Sequence, residues 1–133
     1  MNVFPVRLLP GTDLRKELEI IMAKHRWSSC WIMTGIGSLS QASLRFAGQC
    51  EVNILSGDWE ICSLGGTLCT DGGHLHMVVA DEKGHTFGGH VGHGNIIRTT
   101  AEIVLGFDSA YEFSRKHDQE TGYAELVVQE RSK

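Results

Sequence analysis

The chain has 133 residues, of which 41% are hydrophobic and 21% are charged, and this suits one globular domain with a single core. Its net charge is −4, and its 12 basic residues form no tail or stripe, which argues against strong autonomous DNA binding and leaves only a local patch in an oligomer. The apolar runs are far shorter than the roughly 20 residues that cross a bilayer, and no signal peptide is recognisable, so the cytosol is the expected compartment.

The N-terminal region predicts a strand followed by an amphipathic helix. Residues 3–9 read as a short strand, and Pro5 favours an edge position because proline has no N–H to donate to a ladder. Apolar residues follow helical spacing over residues 13–25. Thr12 or Asp13 can cap this helix by accepting from an unpaired backbone N–H.

The remainder of the chain predicts strands. They are expected over residues 29–37, 42–48, 58–70, 73–80, 85–92, 95–107 and 122–130, and residues 111–117 are ambiguous. Inside one of them, Gly65 and Gly66 indicate a bulge or bend. About seven strands, one main N-terminal helix and short helices predict a single α+β domain over residues 1–133. Its sheet should be mostly antiparallel and strongly bent.

Five of the seven histidines lie within residues 72–94, on either side of a predicted turn. Asp81 suits the first position of a type I turn, and Gly84 can adopt the positive φ of the fourth. This combination is typical of a three-residue hairpin loop with a glycine bulge, closed by Asp81 and His85. The turn therefore predicts the register of the whole hairpin.

That register brings three histidines to one face. Opposed residues of an antiparallel pair have numbers of constant sum, so His76 should face His90. His74 lies two residues along the same strand and points the same way. Gly88 and Gly89 would leave room beside the group for a ligand or another backbone segment. A slip of one residue would send His90 to the opposite face.

Such a group can bind a metal ion. Opposed Cβ atoms lie about 4.5–5.5 Å apart, so the imidazoles of His74, His76 and His90 can converge on one ion. Three histidines leave a coordination position open, as in catalytic zinc sites. The sequence therefore predicts a metal site for zinc or another divalent transition metal, and the alternative is a group of solvated imidazoles. His85 and His93 are expected outside the ligand set.

Three charged residues in apolar, strand-like surroundings are candidates for chemistry beside this site. Glu102, Arg45 and Glu60 could each face either solvent or a pocket. A carboxylate near a metal ion can act as a base, and an arginine can bind an anion in bidentate fashion. Their sequence positions leave both alternatives open.

The four cysteines lack C-x-x-C spacing, and reduced, mostly buried thiols are expected. They are Cys30, Cys50, Cys62 and Cys69.

An ordered series of segments resembles the PPC domain (plants and prokaryotes conserved, also the domain of unknown function 296). The segments are "LLPGTDLRKELE", "TGIGSLSQASLRF", "GDWEICSLGGTL", "HLHMVVADEKGHTFGGHVGHGN", "TTAEIVLG" and "HDQETGYAELVV". The resemblance implies an α+β homotrimer of the single-domain prokaryotic type. It also implies that the H-x-H and G-G-H pattern, here His74, His76 and His90, binds a metal ion such as zinc.

The resemblance leaves two functions open. In plant members the domain follows an AT-hook, which does not occur in these 133 residues. By that association the chain would be a DNA-associated or regulatory metal-binding homotrimer. The fold is also similar to acetolactate decarboxylase and to a metal-dependent ester hydrolase. That similarity implies a zinc-dependent lyase or hydrolase acting on a small oxygenated anionic substrate. No membrane partner is expected, and whether the chain is an enzyme is open.

Overall fold

The computed structural model describes residues 1–132, which form one α-helix and eight β-strands. In chain order the elements are β1 (Asn2–Leu8), α1 (Leu14–His25), β2 (Cys30–Arg45), β3 (Asn53–Cys69), β4 (Gly72–Ala80), β5 (Thr86–Val91), β6 (Ile96–Phe107), β7 (Tyr111–His117) and β8 (Ala124–Glu130). This is the predicted α+β class, with a mostly antiparallel sheet.

The main sheet closes on itself. Its strand order is β1-β6-β2-β3-β4-β5, and β1, which carries Pro5, lies at an edge as predicted. The end of β2 also pairs with β5, where Leu44 faces Val91 and Arg45 faces His90. Because β5 is already paired with β4, this contact joins β2, β3, β4 and β5 into a ring of four strands. The predicted strong bend is confirmed.

Helix α1 covers one side of the sheet. Asp13 caps its first turn, and the carboxylate accepts from the backbone N–H groups of Arg15 and Lys16. The helix ends at His25 because Arg26 adopts the left-handed conformation, with φ of 54°. Three apolar side chains at four-residue spacing are buried against the sheet: Leu14, Leu18 and Met22. Full burial of one such side chain contributes about 1.5–3 kcal/mol.

Two expectations about the strands were wrong. The two strands predicted over residues 29–37 and 42–48 are one strand, β2 (Cys30–Arg45), because residues 38–41 continue the ladder through an irregularity between Leu39 and Gln41. A bulge or bend was expected at Gly65 and Gly66, but both glycines pair in register, and the bulge lies instead at Cys62. Gly66 has another role: a Cβ there would lie 2.0 Å from the carbonyl oxygen of His74.

The chain after β6 forms a separate hairpin. The ambiguous segment 111–117 is strand β7, which pairs with β8 and packs beside β3. The short helices expected besides α1 do not occur within residues 1–132. Nor does any helix in that range have the length and apolar character required to cross a bilayer.

The cysteines divide into two pairs. Cys30 and Cys69 are buried as expected, whereas Cys50 and Cys62 are exposed, which corrects the expectation of burial for them. Burial raises the pKa of the Cys30 thiol to about 12, so it stays protonated.

Candidate metal centre

The hairpin turn has the predicted geometry. The backbone N–H of Asp81 donates to the carbonyl oxygen of His85 at 2.9 Å, and that of Gly84 donates to Asp81 at 3.0 Å. Gly84 has φ of +80°, as its position requires. The Asp81 carboxylate accepts from the N–H groups of Lys83 and His85 at 2.9 and 2.8 Å. These bonds lock the turn and so the register of β4 and β5.

Three histidines converge on the exposed face of this hairpin. His76 faces His90 as predicted, and Nε2 of His76 lies 3.2 Å from Nδ1 of His90. Nε2 of His74 lies 3.1 Å from the same atom of His76. The alternate residues of β4, Leu75 and Met77, are buried in the core. Because successive side chains of a strand point to opposite faces, β4 has a polar face with the histidines and an apolar face in the core.

The spacing of the ring nitrogens suits a metal ion. All three ligand atoms lie within 4.8 Å of one another. Zn–N bonds of about 2.0–2.1 Å in a tetrahedral ion place two nitrogens about 3.3 Å apart, close to the 3.1 and 3.2 Å measured here. His74, His76 and His90 could therefore hold one ion after a small adjustment, with a further position free for another ligand.

The electrostatics favour neutral imidazoles. Partial burial lowers the pKa of His74, and the neighbouring His76 and Arg115 lower it further. The pKa of His90 is lowered by burial first and then by Arg45 and the other two histidines. Neutral imidazole is the form that ligates a metal, so these surroundings hold the rings ready for it.

Of the three charged candidates, Arg45 lies beside the histidines. It faces His90 across the β2–β5 pairing, and its Nη1 donates to the carbonyl oxygen of Gln49 at 2.9 Å. The strands also meet closely beside this pair, where a Cβ on Gly89 would lie 2.6 Å from the carbonyl oxygen of Arg45. Gly89 thus admits a backbone segment, one of the two roles expected for the glycine pair.

Glu102 and Glu60 lie elsewhere on the sheet. Glu102 faces Arg7 across β6 and β1, on an exposed surface. Glu60 is an exposed residue of β3 that faces Ala80 at the far end of β4. Neither carboxylate lines the cleft that contains His74, which removes the geometric basis for giving either one a role there.

The cleft has contributions that the sequence reasoning missed. It has a volume of about 610 Å³, and His74 and His90 line it together with Arg45. The hairpin of β7 and β8 adds Arg115 and Glu125 to its wall. Nη2 of Arg115 donates to Oγ1 of Thr67 at 2.8 Å, and Thr67 is the residue opposite His74. No sequence signal near Arg115 points to the histidines, because their contact depends on how a remote hairpin docks.

His93 and His85 both pair with carboxylates, outside the ligand set. Nδ1 of His85 lies 3.2 Å from Asp81, and Nε2 of His93 donates to Glu19 at 3.0 Å. Burial tends to raise the pKa of Glu19, but hydrogen bonds from His93 and Arg15 outweigh it, and the pKa lies below its ordinary value.

Asn95 is a further residue that the sequence reasoning missed. It is fully buried, and its amide donates to the carbonyl oxygens of Ser43 and Gly92 at 2.9 Å each. Its side-chain oxygen accepts from the N–H of Ser43 at 2.8 Å. Asn95 thus extends the contact between β2 and β5 beyond the last strand pair. The available signal was an asparagine directly after glycine at the end of the histidine-rich segment.

Comparison with known proteins agrees with this architecture. Residues 1–107 match the family model described as the Plants and Prokaryotes Conserved domain. The chain is 49% identical over 129 residues to the bifunctional protein GlmU of Synechococcus sp. (strain JA-3-3Ab), covering 97% of this chain and 21% of that protein. It therefore spans about a fifth of the length of the curated relatives it matches.

Solved structures match over nearly the whole chain. A hypothetical protein from Salmonella cholerae-suis superposes with a TM-score of 0.96 at 38% identity, covering 98% of this chain and 95% of that one. A candidate DNA-binding protein from Bacteroides thetaiotaomicron superposes with a TM-score of 0.84 at 23% identity, covering 95% of this chain and 91% of that one. A metal-containing protein from Archaeoglobus fulgidus gives 0.81 at 24%, covering 96% and 94%. The last two likenesses establish the fold alone. On the family match over residues 1–107, the chain belongs to the Plants and Prokaryotes Conserved domain family.

Proposed function

We propose that the chain is a metal-binding protein in which His74, His76 and His90 hold one divalent transition ion, with zinc as the expected metal. The observation that carries the proposal is the convergence of three imidazole nitrogens within 4.8 Å of one another, beside a cleft that His74 and His90 line. Imidazole suits zinc, and three such ligands leave one tetrahedral position open. The similar Archaeoglobus structure, described as metal-containing, supports the same assignment.

The proposed ligand of the open position is a small oxygenated anion. Arg45 and Arg115 both line the cleft, and both lower the pKa of His74 through their charge. A guanidinium binds carboxylate or phosphate oxygens in bidentate fashion. An anion that binds the metal ion through one oxygen and an arginine through another group suits this combination.

The reaction class that fits is that of a lyase or hydrolase. A bound zinc ion would supply Lewis-acid chemistry. From the chain itself, Arg45 and Arg115 would bind the charge of the substrate. Glu125, which lines the same cleft, would exchange a proton with the substrate. The resemblance to the PPC domain implies a fold similar to acetolactate decarboxylase and to a metal-dependent ester hydrolase, and that proposed likeness favours this class by analogy.

The proposed unit is a homotrimer of single domains covering residues 1–133. Large apolar side chains are exposed on β2 and β3, including Met33, Ile36 and Ile54 at 46%, 57% and 53%. Exposed apolar surface on a sheet is stabilised by assembly. Light scattering should give three times the chain mass of 14.7 kDa, and a monomer mass would contradict the trimer.

A DNA-associated regulatory role is the second candidate. It is favoured by the description of the similar Bacteroides structure as a candidate DNA-binding protein. The net charge of −4 opposes it, because affinity for DNA comes mainly from basic residues that neutralise phosphates. A mobility shift at low salt that weakens as salt is added would support this role. No shift at micromolar protein would remove it.

Elemental analysis of protein prepared without a histidine tag tests the metal proposal. Wild-type protein should contain about one equivalent of metal per chain, and the variants His74→Ala and His90→Ala should lose it. His85→Ala is the matched control, because His85 lies on the same hairpin but pairs with Asp81. Metal retained by both site variants would contradict the proposal.

A further inference from the structure

The proposed ligand set lies where β4 and β5 separate. The two strands pair along the hairpin as far as His76 and His90, and their ladder stops there. Beyond that point β5 pairs with β2 through Val91, while β4 continues along β3. His74 lies past the last pair of the hairpin. The pairing of β4 with β5 therefore does not set the distance between His74 and His90.

Arg15, in the first turn of α1, reaches both sides of this opening. Its Nη1 donates to the carbonyl oxygen of Val91 at 2.8 Å, and its Nη2 to that of Gly73 at 3.3 Å. Val91 directly follows His90 in the chain, and Gly73 directly precedes His74. One guanidinium thus joins the two backbone segments that carry these histidines.

The guanidinium is itself held in place. Nε of Arg15 donates to Oε1 of Glu19 at 3.0 Å, one helical turn along α1. The second carboxylate oxygen of Glu19 accepts from Nε2 of His93 at 3.0 Å. A planar fork of donors can bridge two carbonyls and a carboxylate at once, whereas the single ammonium of lysine has no fixed fork.

We propose that Arg15 is a positioning residue of the metal centre, and that it sets the separation of His74 and His90 by bridging Gly73 and Val91. It acts through the backbone beside each histidine. The inference rests on the proposed metal site for its functional meaning, but the spacing of the two histidines is a property of the metal-free protein as well. The two proposals can therefore fail separately.

The variant Arg15→Lys keeps the charge and removes the bridge. Its affinity for Zn²⁺ should fall by about 10- to 100-fold, the usual effect of losing a group that orients metal ligands. The visible spectrum of bound Co²⁺ should change with the ligand geometry. Arg7→Lys is the matched control, because Arg7 also bridges Thr99 and Thr100 across strands, but on the exposed β1 edge. It should leave affinity and spectrum unchanged.

The metal-free readout is the NMR spectrum of the histidine rings. In Arg15→Lys the ring signals of His74 and His90 should move relative to those of wild type, and in Arg7→Lys they should not. If wild-type protein binds no Zn²⁺ but these signals move, the metal proposal fails and the positioning role stands. If affinity, Co²⁺ spectrum and ring signals all match wild type in Arg15→Lys, the positioning role is overturned.

A second variant covers the case in which Arg15→Lys does not fold. Glu19→Gln leaves Arg15 in place and removes the charge that holds its Nε. It should move the same ring signals and weaken Zn²⁺ binding by a smaller factor. Ring signals and affinity unchanged from wild type in Glu19→Gln would then overturn the inference.

Discussion

His76 on β4 faces His90 on β5, and Nε2 of the first ring lies 3.2 Å from Nδ1 of the second. Such a contact between two imidazoles contributes little unless one donates to the other or both bind an ion. Because the turn at Asp81 sets this pairing, the proposed centre exists only in the folded chain. Metal binding and folding are therefore linked.

Added zinc should stabilise the fold. At a free concentration a hundred times the Kd, a ligand that binds only the folded state raises the free energy of unfolding by about 2.7 kcal/mol. Thermal melts with Zn²⁺ and with a chelator measure this difference. It should vanish in His90→Ala and persist in His85→Ala. An equal zinc effect in both variants would place the ion elsewhere.

Replacing Gly89 with alanine should disturb the centre from the backbone side. The added Cβ would lie 2.6 Å from the carbonyl oxygen of Arg45, so β5 must move away from β2 and take His90 with it. Overpacking of this kind costs about 1–3 kcal/mol of unfolding free energy. Zinc affinity should fall together with stability.

Gly65→Ala is the matched control for that substitution. Gly65 faces His76 across β3 and β4, but a Cβ there would meet no atom within 4 Å among residues 1–132. Denaturant unfolding and zinc titration should therefore be close to wild type. Equal losses of stability and zinc affinity in both variants would show that replacing any glycine of these strands has this effect, and that the contact with Arg45 is not its cause.

The stability that the hairpin turn contributes should depend on pH through the ionisation of Asp81. Desolvation raises the pKa of Asp81, but hydrogen bonds from the N–H groups of His85 and Lys83, together with the charge of His85, outweigh it and lower the pKa from 3.8. A carboxyl group with a lowered folded-state pKa stabilises the fold above its ordinary pKa and loses that contribution as pH falls through the folded value. Asp81→Asn should thus be less stable than wild type at neutral pH.

That difference should shrink below about pH 4, where wild-type Asp81 also takes up a proton. Urea unfolding of both proteins from about pH 7 to about pH 3 measures it. A difference that stays constant over this range would mean that the charge of Asp81 does not stabilise the turn.

Arg115 should contribute to anion binding and not to metal binding. In Arg115→Met the metal content should remain, and the affinity of the metal-loaded protein for inorganic phosphate should fall about tenfold, as for the loss of one charge-assisted contact. Lys116→Met is the control, because Lys116 is the exposed neighbour on the other face of β7. Calorimetry distinguishes the variants, and equal phosphate affinity in both would exclude a specific role for Arg115.

That the three histidines share one face was predictable because it depends on a local turn and the period of the strand. Asp81 and Gly84 are three residues apart, and their backbone preferences determine which residues face each other for the rest of the hairpin. Helix α1 was predictable for the same reason, from Asp13 at its start and apolar side chains at helical spacing.

The walls of the cleft were not predictable because they come from distant parts of the chain. Arg115 reaches Thr67 only after β7 and β8 dock beside β3, and no pattern near either residue records that contact. The sequence predicts a bulge or bend at Gly66, but a glycine in a strand can also mark the close approach of another backbone segment. Only the approach of the His74 carbonyl distinguishes them.

The closed ring of β2, β3, β4 and β5 has a consequence for the order of folding. The hairpin that carries the histidines has neighbouring ends and can form early, as local contacts do. The pairing of Leu44 with Val91 joins segments far apart in the chain, so it bears a larger loop-closure entropy and belongs to a later step. Arg45 and the hydrogen bonds of Asn95 with Ser43 and Gly92 reach their final positions in that step. A folding intermediate with an open ring would already bring His76 opposite His90, but without the arginine that we propose for recognising an anion.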